Sequence, residues 1–210
     1  MSEPQTDVID LLAGVAPGSR LAAIRAQRSQ ARENAQASHV ALFAPEFPGG
    51  VSLGTRCAVA TFVAGLHRDA ATLAFYRDGL IRLNGDPGVV AAVDDEIVRG
   101  AARGPYGRYP SGPLSGEDKD GPVLRIAQPN RRILGAPLAA ALEHAHLLVF
   151  RPRDASPAAL QAVLDAGWST TDIVTLSQLV AFLAFQIRVI VGLRALAAAP
   201  ATIPEPERSK

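Results

Sequence analysis

The chain has 210 residues, 48% of them hydrophobic, 20% charged and 5% aromatic, with a formal net charge of +1. Those values fit one globular domain with a substantial core and exclude a disordered chain. So balanced a charge also gives no clustered basic face for nucleic acid. The apolar content is mostly Ala, Leu and Val, and because Ala and Leu are strong helix formers an all-α fold is predicted.

One cysteine permits no internal disulfide. The polar start, MSEPQTD, lacks the basic-then-apolar order of a secretory signal. The most apolar run, Leu179 to Leu193, is interrupted by Gln186 and Arg188. A membrane span needs about 20 mostly apolar residues, so a protein-buried helix, no membrane partner and a cytoplasmic location are expected.

In chain order, Asp7 to Leu12 reads as one or two helical turns capped by Thr6 or Asp7 and ended by Gly14, Pro17 and Gly18. Ser19 is a helix cap, and a single long helix is predicted from there to about Phe43. Its middle, Arg25 to Ser38, is very polar, which fits a solvated face or a surface packed on a partner subunit. The run APEFPGG at 44–50 is a loop. Residues 1–50 thus form an N-terminal helical extension, 51–199 a helical domain, and 200–210, with three prolines, a disordered tail.

Ser52 caps an apolar helix that ends at Arg68 and Asp69. Ala70 to Leu83 forms the next, with Ala71, Leu73, Ala74, Leu80 and Ile81 as its expected contacts. A turn cluster at 84–88 leads to a short helix, Val89 to Val98, with Asp94, Asp95 and Glu96 on its polar side. Residues 100–129 lack periodicity; they read as a surface linker, or as a loop that covers a pocket or a neighbouring subunit. Helix returns from Arg132 to Leu148, then from Ser156-Pro157 to Asp165. Ser169 or Thr170 caps the last and longest helix. That helix is apolar almost all round, which predicts the central post of the bundle or a subunit interface. The pattern totals about eight helices and no strand.

Five residues are candidates for chemistry: Cys57, His67, Asp69, Thr72 and Tyr76. Cys57 reads as an inert core thiol or as one modestly activated by its place near a helix N-terminus. His67, in the break between helices, is a polar cap or a ligand or base. Asp69, Thr72 and Tyr76 share one helical face, so they form a polar wall, or Asp69 is simply an N-cap. His144 and His146 are two apart, on different sides of a helix, which is poor spacing for a metal pair. No cofactor is indicated.

Three stretches resemble the carboxymuconolactone decarboxylase (CMD) and alkylhydroperoxidase D (AhpD)-like superfamily. LGTRCAVATFVAGLH at Leu53–His67 is similar to the family's first core helix, and DAATLAFY at Asp69–Tyr76 lies where active members carry CxxC followed by histidine. AGWSTTDIVTLSQLVAFLAFQIRVIVGL at Ala166–Leu193 is similar to the closing helices of the peroxidase-related branch. The resemblance implies an AhpD-like bundle and a homo-oligomer, with a related AhpD-like protein as a further partner. It also puts Asp69 and Thr72 at the two cysteine positions, Cys57 where a glutamate is expected, and Tyr76 in place of the histidine. Thiol–disulfide exchange needs an attacking thiolate and a second sulfur, so the dithiol step is unavailable. Three readings follow: an AhpD-like protein with altered or no redox chemistry, an acid–base enzyme of decarboxylase or isomerase type using His67, Asp69 and Tyr76, or a structural or binding subunit.

Overall fold

A computed structural model describes residues 6–84 and 86–199; the expected tail at 200–210 lies outside them. The described residues are all-α, as the composition predicts, with nine α-helices. These are α1 (Val8–Ala13), α2 (Arg20–Ala26), α3 (Ser29–Phe43), α4 (Leu53–Leu66), α5 (Ala70–Asn84), α6 (Pro87–Arg99), α7 (Gln128–Phe150), α8 (Pro157–Asp165) and α9 (Thr170–Ala198). Side chains of Asp7, Ser19, Ser52, Asp86, Ser156 and Ser169 accept backbone N–H bonds at helix starts, which satisfies donors that would otherwise be orphaned.

The central post is α4. Every residue from Arg56 to Leu66 is buried, and α5, α6, α7 and α9 pack around it. Small residues make this possible: a Cβ at Gly65 would come within 2.6 Å of Ile97 on α6. The expectation that α9 is the central post is therefore corrected. Its Ile173, Leu176, Leu179, Leu183, Ile187 and Ile190 face the bundle, while Val174, Phe185 and Val191 are about half exposed. Helices α7 and α9 are each long and apolar enough to cross a membrane by length and composition alone; about half of each apolar stretch is buried in the bundle.

Three further expectations need correction. The single helix from Ser19 to Phe43 is two, broken at Gln27-Arg28. The bend lets Arg25 and Arg32 both reach α1, where Arg25 pairs with Asp7 at 2.9 Å and Arg32 with Asp10 at 2.7 Å. On α5 the apolar set marks the inner face only in part: Leu80 is buried as expected, but Ala71, Ala74 and Ile81 are exposed, and Thr72, Tyr76 and Gly79 are turned inward instead. On α6, Glu96 is fully buried rather than on the polar side. It accepts the Ala127 N–H at 3.0 Å and the Asn130 amide at 2.8 Å, and so anchors the start of α7. A central post would also bury Arg188, which instead lies exposed and donates to Ala184 O of its own helix at 2.9 Å.

Residues 100–127 are laid along α6 and α7. The Tyr106 N–H donates to Phe150 O at 2.7 Å, the Ile126 N–H donates to Glu143 at 2.9 Å, and Leu124 and Ile126 are buried. The stretch at 123–125 walls a cavity of about 330 Å³ against α7 and α8. Helix α7 is kinked at Gly135, whose φ of 75° lies in the left-handed region. There the Trp168 indole N–H donates to Pro137 O at 2.8 Å, tying the kink to the turn before α9.

Candidate functional site

The break between α4 and α5 is built by a reversing cap. Arg68 has φ 59°, its N–H donates to Gly65 O at 3.0 Å, and the Asp69 N–H reaches back to Ala64 O at 3.3 Å. That pair of bonds is the Schellman arrangement, which usually places glycine where Arg68 stands. Asp69 then starts α5: its Oδ1 accepts the Thr72 N–H at 2.9 Å, and its Oδ2 accepts from Arg194 of α9 at 2.6 Å. Burial raises the Asp69 pKa, but the bonds from Thr72 and Arg194 outweigh it, so the carboxyl is held below its ordinary value. Asp69 and Thr72 are both buried at the start of α5, where the Asp69 carboxylate accepts the Thr72 N–H.

One turn further on, Tyr76 is 2% exposed and donates its hydroxyl to Gln186 Oε1 at 2.7 Å. Burial pushes its pKa well up, the Gln186 bond opposes this, and nearby Cys57 adds to the rise. Its ring closes an aromatic cluster, with Phe43 at 4.8 Å and Phe75 edge-on at 5.1 Å between centroids. His39 of α3 stacks on Phe43 at 5.0 Å.

These side chains wall a cavity of about 250 Å³, open on one side, between α3, α4 and α5. Cys57 lines it, and Arg82 and Leu83 stand at the same wall as Gly79. Gly79 permits the close approach of α5, since a Cβ there would stand 3.2 Å from Cys57 Sγ. Burial raises the thiol pKa, with Arg82 lowering it in part, so Cys57 is held as the neutral thiol. Burial also takes His39 down to about 4, with Asp7 opposing, so the imidazole is neutral at pH 7. The cavity therefore offers aromatic faces, a neutral thiol and a neutral imidazole, with one cation, Arg82, in its lining.

Cys57 and Tyr76 are thus brought together at one cavity. Asp69 and Thr72 lie on the same inner face of α5 but do not line it, and neither does His67. His67 is the half-buried C-cap of α4, and burial and then Arg188 keep its pKa low. The trio His67, Asp69 and Tyr76 does not converge on this space. Sequence reasoning missed His39 and Arg82. A usable signal existed: His39 and Phe43 are four apart on one helix face, and Tyr76, Gly79 and Leu83 share another. It also missed Arg194, whose partner is 125 residues away. Among the described residues no cluster of His, Cys, Asp or Glu suits a metal ion. No family model matches the chain, and neither a curated protein nor a solved structure matches it.

Proposed function

We propose that this chain is an AhpD-like helical protein that has lost dithiol redox chemistry and binds a small, mostly apolar molecule in the cavity beside Cys57. The observation that carries the reading is the fate of the two positions where relatives carry cysteines. Asp69 is committed to an N-cap and to the Arg194 ion pair, and Thr72 is fully buried against it. Neither offers sulfur, and the one thiol near them is kept protonated by burial. The aromatic walls provide dispersion and apolar contact, which favour a ligand of low polarity. Consumption of cumene hydroperoxide with dithiothreitol as donor tests this. No turnover above buffer is expected; robust turnover abolished by Cys57→Ser would make Cys57 a one-cysteine peroxidatic thiol and end the proposal.

The acid–base alternative is less favoured, because His67 and Asp69 do not line the cavity and the Tyr76 hydroxyl is taken by Gln186. Self-association in the cytoplasm completes the reading. It rests on the resemblance, which implies a homo-oligomer. A monodisperse monomer in sedimentation velocity would remove that part.

A further inference from the structure

On the other side of α3 lies a second cavity of about 520 Å³, between α3, the start of α4 and α9. Arg56 lines it. This arginine is 4% exposed, and among the described residues no carboxylate lies within ion-pair distance. Its three bonds all go to neutral carbonyls: Nε–H to Val51 O at 2.9 Å, Nη1 to Leu42 O at 2.7 Å and Nη2 to Pro48 O at 2.6 Å. A guanidinium has five N–H groups, so one remains on each Nη. Leu42 O is among the last carbonyls of α3, where the helix dipole is negative, which offsets only part of the charge. A buried cation without a counter-ion is costly and favours the approach of an anion.

The rest of the lining suits such an anion. Gln178 supplies an amide donor, and Phe182 and Phe185 supply an aromatic wall, while the Ser38 and Thr175 hydroxyls already donate to Asn34 O and Thr171 O of their own helices. Phe185 is 48% exposed, a large apolar surface left uncovered beside the opening. Arg56 is adjacent in sequence to Cys57 but about 100° further round α4, and the two cavities share no lining residue.

We propose that this second cavity binds a small organic anion, an aromatic carboxylate, with the carboxylate facing the free N–H groups of Arg56 and the ring against Phe182 and Phe185. The inference does not depend on the function proposed above. Because Arg56 also holds the 44–51 loop, its own substitution risks unfolding, and the test uses exposed Gln178 instead. Benzoate and its neutral analogue benzamide are titrated by NMR against the full-length protein. Benzoate should bind about tenfold or more tightly than benzamide, with shifts at Ser38, Arg56, Thr175 and Gln178. Gln178→Glu places a carboxylate in the lining; it should weaken benzoate about tenfold or more and benzamide far less, since only benzoate is repelled by the new charge. Equal affinity for the two probes, or benzoate binding indifferent to Gln178→Glu, overturns the proposal. Benzoate binding lost in Arg82→Gln but kept in Gln178→Glu also overturns it, by moving the anion to the Cys57 cavity. A change of sedimentation on Gln178→Glu, with no benzoate binding by the wild type, assigns the surface to a second copy and overturns it too.

Discussion

Removing the Tyr76 hydroxyl isolates one buried contact. Tyr76 and Gln186 are 2% and 0% exposed, and the Tyr76 hydroxyl donates to Gln186 Oε1 at 2.7 Å. Gln186 Nε2 has no partner among the described residues, so this bond is what holds the amide in place. Tyr76→Phe keeps the ring in its aromatic cluster and strands the buried amide oxygen. An orphaned buried acceptor costs about 1–3 kcal/mol. For a protein of this size that lowers Tm by roughly 2–12 °C. Gln186→Leu alone should destabilise too, because it strands the hydroxyl. The double variant Tyr76→Phe/Gln186→Leu replaces both partners with apolar groups, which is close to neutral. It also removes the unpartnered Nε2, so it should match or exceed the wild type. Urea denaturation of the four proteins closes a double-mutant cycle, with an expected coupling of about 1 kcal/mol or more. If the double variant instead loses the sum of the two single losses, the hydroxyl–amide bond does not exist and the inward register of α5 is wrong.

Arg68→Gly should stabilise by about 1 kcal/mol, since glycine adopts the left-handed conformation at φ 59° without the Cβ penalty; chemical denaturation reads it. Gly135→Ala at the kink of α7 should destabilise for the converse reason and redshift the fluorescence of Trp168, whose indole bonds to Pro137 O. Acid should weaken the fold in two stages. Burial holds His39, His67, His144 and His146 below the ordinary imidazole value, His39 at about 4. The unfolded chain therefore takes up protons first, and stability falls as pH drops from about 6.5 towards 4. His39→Phe should flatten that slope in urea melts at stepped pH. Asp69 is held low, so its contribution is present above about pH 4 and is lost as pH falls through its lower folded value. Asp69→Asn should keep the N-cap and remove that acid-side loss by giving up the charge-dependent stability above about pH 4, and Asp69→Ala should cost about a further 1 kcal/mol at neutral pH.

Much of the fold is legible in the sequence because its signals are local. Ser52, Asp69, Ser156 and Ser169 cap helices from one side chain and three residues of backbone. The bend at Gln27-Arg28 carries no Gly or Pro; it is set by Asp7 and Asp10, which lie across a tertiary contact. The overrating of α9 has a related cause. Apolar residues fill its whole circumference, but α4, with Ala58, Ala60, Ala64 and Gly65, allows closer approach and takes the central place. The candidate site divides the same way. Cys57, Asp69, Thr72 and Tyr76 stand out by type and spacing. The partners that fix their state, Gln186, Arg194 and Arg82, are far off in the sequence or on another helix, where spacing alone does not select them.

The most direct test of the account is the pH dependence of Cys57 alkylation by iodoacetamide in the folded protein. A thiol kept neutral by burial should react slowly at pH 7, with a rate still climbing at pH 9 and no plateau below it. A plateau with an apparent pKa near or below about 7 would mean a stabilised thiolate and would contradict the account.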